Sequence, residues 1–211
     1  MSGISIIGLG NMARVLATRA LAGGNSVEVI GRDAARAEAL AKELGDGTVA
    51  GAFGSAPTGD VVILAVPYAS AAQIVTQYGR ALAGKVIVDI TNPFDPSFTG
   101  LVTPDDSSAA QEIAKVAPAG AHVVKAFNTL FSHVLASQVE NRPLDVFIAG
   151  DDSESKTRVS SFVESLALRP LDVGDLKMAR WLEGAGLLVV ALVLHKAVSD
   201  NQFSLAINAL G

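Results

Sequence analysis

Ile4-Ser5-Ile6-Ile7-Gly8-Leu9-Gly10-Asn11-Met12-Ala13 is the stretch whose reading decides the fold. Its first four residues form a short, mostly β-branched apolar run, the pattern of a buried strand. A Gly-x-Gly-x-x-Ala spacing follows at once and opens a helical pattern over residues 11–22. Each small residue has a mechanical reason to be there. Gly8 permits a tight turn out of the strand, Gly10 lets the backbone approach a pyrophosphate, and Ala13 lets the helix lie close to the strand. A pyrophosphate would sit where the helix begins, among free N–H groups and the positive end of the helix dipole. A turn that serves packing alone can use the same residues, so the surrounding pattern has to carry the reading further.

Outward from that turn, short apolar runs alternate with longer helical segments. Strand patterns fall at residues 4–8, 26–30, 48–52, 61–66, 85–90, 122–127, 146–149 and, more weakly, 170–173. Helical patterns fall at 34–44, 69–82, 107–116 and 153–166. This alternation predicts an α/β fold of the Rossmann type, with a doubly wound, mostly parallel sheet. Residues 1–174 are expected to form that dinucleotide-binding domain. From Asp175 the pattern turns helical, with Leu176, Ala179, Leu182, Ala185 and Gly186 suited to a packed face. Residues 175–211 are therefore read as a small C-terminal helical extension, packed beside the ligand crevice or against a second subunit.

Composition narrows the function classes. Of 211 residues, 50% are hydrophobic and 18% charged, which suits a large aliphatic core and a buried sheet. A net charge of −5 and the lack of any Lys/Arg run argue against a nucleic-acid partner. There are no cysteines, and His122, His133 and His195 are dispersed, so no metal site is expected. The N-terminus has no basic region ahead of its apolar run, unlike a signal peptide. The apolar block from Leu187 to Leu194 is far shorter than the ~20 residues that span a bilayer. No membrane partner is expected, the default location is cytoplasmic, and the block reads as a buried helix or subunit interface.

Coenzyme choice is decided near the end of the second strand, in Ser26-Val27-Glu28-Val29-Ile30-Gly31-Arg32-Asp33. A carboxylate there accepts from the ribose 2′-OH of NAD(H), whereas cationic residues serve the 2′-phosphate of NADP(H). Gly31 and Arg32 occupy the first positions beyond the apolar strand, and Arg36 follows one helical turn later. Arg32 offers a planar fork to the phosphate and Arg36 a second charge. Asp33 is read as the N-cap of the next helix; the competing reading makes it the ribose ligand. NADP(H) is the expected cofactor.

Further strand ends point to the same edge. Ala65, Val66 and Pro67, within Ala65-Val66-Pro67-Tyr68, are placed beside the dinucleotide, though an ordinary strand end with a proline stop uses the same residues. Asn92 and Pro93, within Thr91-Asn92-Pro93-Phe94, and Phe127, Asn128 and Thr129 offer polar groups for a nicotinamide or second-substrate site, though capping turns use the same residues. Asp89, near a strand end, need not be buried unpaired. Lys125 is read as a strand-end lysine extending to solvent. There is no Ser-x-x-x-Lys or Tyr-x-x-x-Lys pair and no Gly-x-x-x-x-Gly-Lys-Ser/Thr phosphate loop. Direct hydride exchange between two bound redox cofactors needs no protein acid or base, and so fits this inventory.

Taken in order, Gly8-Leu9-Gly10-Asn11-Met12, Gly31-Arg32-Asp33, the residue 62–67 strand end, Val88-Asp89-Ile90-Thr91-Asn92-Pro93, Val124-Lys125-Ala126-Phe127-Asn128-Thr129 and Ala149-Gly150-Asp151-Asp152 resemble the coenzyme F420-dependent NADP oxidoreductase family. The resemblance implies a Rossmann domain with a C-terminal helical extension, a homodimer, and hydride exchange between NADP(H) and a deazaflavin, coenzyme F420. It implies that Arg32 and Arg36 hold the 2′-phosphate, and that the deazaflavin stacks near Asn92, Pro93 and Phe127 through Leu130. Thr91-Asn92-Pro93 and Asn128-Thr129 differ from the archaeal members at those positions. The same domain is similar to the cytosolic part of membrane metalloreductases, which use NADPH with a flavin. The alternatives are therefore an NADPH-dependent flavin (FAD or FMN), quinone or ferric reductase, or a non-catalytic NADPH sensor.

Overall fold

The computed structural model describes residues 3–137, 142–198 and 202–208. Its eight strands are β1 (Gly3–Ile7), β2 (Ser26–Gly31), β3 (Thr48–Ala52), β4 (Val61–Leu64), β5 (Val86–Asp89), β6 (His122–Lys125), β7 (Asp145–Gly150) and β8 (Arg169–Asp172). They form one sheet in the order β3-β2-β1-β4-β5-β6-β7-β8. Seven helices accompany them: α1 (Asn11–Ala22), α2 (Ala34–Leu44), α3 (Tyr68–Tyr78), α4 (Ala109–Val116), α5 (Ser132–Ala136), α6 (Ser153–Ser165) and α7 (Ala179–Leu194). The α/β Rossmann-type fold, its mostly parallel sheet and its C-terminal helix are as the sequence predicts.

Strand periodicity explains how the sheet is buried on both faces. Ile4 and Ile6 of β1, Val61 and Ile63 of β4, and Val86 and Val88 of β5 meet α1, α2 and α6 in one core. Their neighbours Ile7, Val62, Leu64 and Ile87 point the other way, into a second core with α3, α4 and Ala179 of α7. Strands buried on both faces read as continuous apolar runs, which is why they stand out in the sequence.

Helix starts obey local chemistry. Asp33 caps α2 by accepting from Arg36 N at 3.1 Å, Ser108 caps α4 from Gln111 N at 3.2 Å, and Asp152 caps α6 from Ser155 N at 2.7 Å. Asp33 thus takes the capping role expected of it. The helical pattern at 69–82 resolves into α3 and a 3-10 turn, Gly79–Leu82, because Gly79 has φ +47°. Two features go beyond the sequence reading: the five-residue α5, and the antiparallel pairing of β7 with β6. No helix among the described residues is long and apolar enough to cross a membrane.

Candidate functional site

β1 has β2 on one side and β4 on the other, so the strand order reverses at its carboxyl end, where open α/β sheets take ligands. Gly8 stands at that point with φ +128°. Its N–H donates to Ile30 O at 2.8 Å, and a Cβ there would lie 2.0 Å from Ala65 O. Only glycine fits between the ends of β2 and β4. Gly10, the N-cap of α1, has the opposite surroundings: a Cβ would meet nothing within 4 Å. The helix start, which no side chain caps, therefore faces open space. Ala13 is fully buried against the sheet, as the spacing predicts.

A crevice of about 480 Å³ runs along this edge, lined by Gly8, Leu9 and Gly10 from the turn, Gly31, Arg32, Asp33 and Arg36 from the end of β2 and α2, Phe53, and Ala65, Val66 and Pro67 after β4. Arg32 and Arg36 are its only cationic lining residues, and neither has a carboxylate partner in a salt bridge among the described residues. Arg32 instead lies over the Phe53 ring, 5.8 Å from its centre, and Phe53 is held edge-on by Tyr78.

A second crevice of about 340 Å³ shares Gly10, Ala65, Val66 and Pro67 with the first and adds Asn11, Met12, Tyr68, Ile90, Thr91 and Asn92. Two of these, Thr91 and Tyr68, belong to strand-end segments that the sequence reading placed at this edge without giving either residue a role of its own. Thr91 is 4% exposed and its Oγ1 is buried without a hydrogen-bond partner among the described residues. The Tyr68 phenol is held above its ordinary pKa by burial, and further by the charges of Glu112, Glu183 and Asp89. It stays protonated at neutral pH and can donate. The signal for Tyr68 was its place directly after the strand-end proline. Phe53 similarly follows the end of β3.

Behind the second crevice lies a buried charge cluster, and here the sequence expectation is corrected. Lys125 does not extend to solvent: its side chain is fully buried. Its Nζ donates to Asp89 Oδ2 at 2.8 Å, Glu183 Oε1 at 2.8 Å and Thr91 O at 2.6 Å. The reason is geometric. Residue 125 pairs in register with Asp89 on β5, and α7 packs Glu183 over the pair. Glu183 also accepts from Ala109 N at 3.1 Å, at the start of α4. Burial pushes its carboxyl above the usual range, against the pull of Lys125.

Comparison with known proteins fits this geometry. A family model described as "NADP oxidoreductase coenzyme F420-dependent" matches residues 3–93. Over 200 residues the chain is 30% identical to the F420-dependent NADP reductase of Methanocaldococcus jannaschii, covering 88% of this chain and 89% of that protein. The chain belongs to the F420-dependent NADP oxidoreductase family. It is also 34% identical over 183 residues to the metalloreductase STEAP3 of Rattus norvegicus, covering 85% of this chain but 35% of that one, so it spans about a third of that relative. In structure it matches a provisionally named F420-dependent NADP reductase from Arthrobacter sp. FB24 at 25% identity with a TM-score of 0.83, over 98% of this chain and all of that one. The chain is accordingly a Rossmann-fold NAD(P)(H)-binding oxidoreductase of this family.

Among the residues expected to bind cofactor, Gly8, Gly10, Asn11, Met12, Gly31, Arg32, Arg36, Ala65, Val66, Pro67 and Asn92 line one or both crevices. Pro93, Phe127, Asn128, Thr129 and Leu130 line neither. Phe127 is 1% exposed, turns the chain out of β6 with φ +61°, and packs its ring against Phe162. Leu130 joins the same core. Asn128 supports Asn92 from behind: Asn92 Nδ2 donates to Asn128 O at 2.8 Å, and Asn128 Nδ2 donates to Asn92 Oδ1 at 3.0 Å and to Leu182 O on α7 at 2.8 Å. The two strand ends thus come together as a pair, with Asn92 forward and Asn128 anchoring it to α7. No group of three or more His, Asp or Glu among the described residues is placed to hold a metal ion.

Proposed function

We propose that this chain transfers a hydride between NADP(H) and a deazaflavin acceptor of the coenzyme F420 class. The observation that carries the choice of NADP(H) is the end of β2. Gly31 has no carboxylate to offer, Asp33 is engaged as a helix cap, and Arg32 and Arg36 face the crevice without a carboxylate partner among the described residues. Two such guanidinium groups suit a 2′-phosphate, which they would hold by charge-assisted hydrogen bonds. The pyrophosphate would lie against Gly10 and the first N–H groups of α1, in the open space where a side chain at residue 10 would stand.

NADP(H) supplies the transferable hydride when bound. What the chain contributes is position and dryness. Thr91 and Asn92, which line the second crevice, would shape the nicotinamide end, with the neutral Tyr68 phenol as a donor to a ring heteroatom. Lys125 is enclosed by two carboxylates and a carbonyl and has no route to a substrate. A second reading, with a flavin such as FAD or FMN, a quinone or a ferric complex as acceptor, is favoured by the 34% identity to a metalloreductase over the same domain. The functional unit is proposed to be a homodimer, because Trp181 and Leu188 of α7 stand 70% and 57% exposed.

A turnover screen tests the proposal. NADPH with oxidised F420 should bleach the deazaflavin absorbance faster than FMN, FAD or ferric citrate is reduced; turnover confined to the other acceptors selects the second reading, and binding without turnover of any acceptor leaves only an NADPH sensor. Arg32→Ala should weaken NADPH binding by about 1.5–3 kcal/mol and NADH binding far less. Equal losses for both nucleotides reject the phosphate role.

A further inference from the structure

The NADP(H) reading leaves a question at Gly31. Its backbone is ordinary strand, paired in register with Ala52 and outside the left-handed region, so any L-residue could adopt it. Space, rather than conformation, makes it glycine. A Cβ at residue 31 would lie 2.3 Å from Leu9 Cδ1 and 2.7 Å from Leu9 Cγ. Real Cβ atoms do not approach so closely, so a side chain at residue 31 requires Leu9, which is partly buried against the core, to shift.

We propose that Leu9, from the glycine turn beside the end of β2, determines coenzyme choice by disfavouring a ribose-binding carboxylate at position 31. It rests on the NADP(H) reading and adds the residue that enforces it. Aspartate at the end of β2 would both accept from a ribose 2′-OH and repel a 2′-phosphate. Leu9 occupies the place where the stem of that aspartate must pass. The 2′ position is thereby left to Arg32 and Arg36, which line the same crevice as Leu9 and Gly31. Specificity then has a repulsive element, the leucine, besides the attractive pair of arginines.

The test is a double-substitution cycle read by calorimetric titration with NADPH and NADH and by thermal melting. The wild type should prefer NADPH. Gly31→Asp alone should melt lower and bind both nucleotides poorly. Leu9→Ala combined with Gly31→Asp should raise NADH affinity at least about tenfold over Gly31→Asp alone and reverse the preference, the size expected for one charged hydrogen bond. A Gly31→Asp protein that melts like the wild type and already binds NADH as well as the double variant overturns the inference, as does a folded double variant with no gain for NADH. A milder cycle, Gly31→Ala with and without Leu9→Ala, reads the contact on stability alone. The double variant should lose less than the two single losses combined; additive losses count against the contact. If the wild type binds neither nucleotide or prefers NADH, the functional reading itself fails and the inference goes with it. If the wild type prefers NADPH and only the cycle fails, that reading stands and Leu9 is not its cause.

Discussion

Lys125 carries three short hydrogen bonds in a space with no water access, to Asp89, Glu183 and the Thr91 carbonyl. Its amine holds the end of β5 and the side of α7 together directly behind the second crevice. Two carboxylates around one lysine make this arrangement intolerant of losing the cation, because each would be left buried with its charge uncompensated. Lys125→Met, which keeps the apolar stem, should cost about 3–5 kcal/mol in urea unfolding near neutral pH. The sign of its pH dependence follows from Glu183. Its folded pKa is already raised by burial, so the native state takes up its proton before the unfolded chain does, and stability falls as pH rises from the ordinary glutamate range through that raised value. Without Lys125 the folded value rises further. The deficit of the variant should therefore shrink on going from about pH 7.5 to about pH 5, and adding Glu183→Met should restore part of it. A deficit that stays constant or grows on acidification would show that Glu183 does not depend on Lys125. None of this was legible in sequence: Lys125 lies 36 positions from Asp89 and 58 from Glu183, and no local pattern links them.

Helix α7 shows what an element contributes that its pattern cannot announce. Its burial was foreseeable from Ala179, Leu182 and Gly186, which are all buried, and so was a place beside the ligand crevice, but the contacts it makes there were not. Arg180 ties it to the carbonyls of Pro104 and Ser107 at 2.8 and 2.9 Å, Glu183 ties it to β6, and Leu182 O accepts from Asn128. Gly186 is the point of closest approach, where a Cβ would stand 2.9 Å from Asn92 Oδ1 and 3.3 Å from Asn128 O. In an unconstrained helix, Gly→Ala stabilises by about 1 kcal/mol. Here that gain should be cancelled or reversed, and Asn92 should be pushed out of position, so that Gly186→Ala lowers turnover with the acceptor several-fold while NADPH affinity changes little. A more stable protein with unchanged turnover would mean that α7 does not set the position of Asn92. The strands were easier to read, because burial on both faces leaves long apolar runs. The direction of β7 was not, since periodicity reports that a strand exists and not which way it runs. Helix α5, with five residues, is too short to establish a helical period at all.

At the scale of the molecule, the reversal of strand order beside β1 gathers the glycine turn, the arginines after β2 and the loop after β4 along one edge. This was the most legible level, since a strand, a Gly-x-Gly turn and a helix in sequence dictate it from purely local residues. Less legible was the outer surface. Leu187 to Leu194 reads as a block to be buried, yet within one chain only part of α7 is covered. Trp181 and Leu188 are seven residues apart and so lie on the same side of the helix, and both stand mostly exposed. Apolar side chains so placed on a helix that is otherwise docked ask for a second surface, and a symmetric partner presents the same ridge to itself. If the homodimer forms there, Leu188→Glu places a charge opposite its own copy, at a cost that neither chain can relieve by hydration while they remain together. Sedimentation should then find wild type at twice the chain mass and the variant at the chain mass, with the secondary structure by circular dichroism unchanged because Leu188 faces away from the sheet. A variant that remains dimeric would move the interface elsewhere, and a wild type that is monomeric at micromolar concentration would remove the dimer altogether.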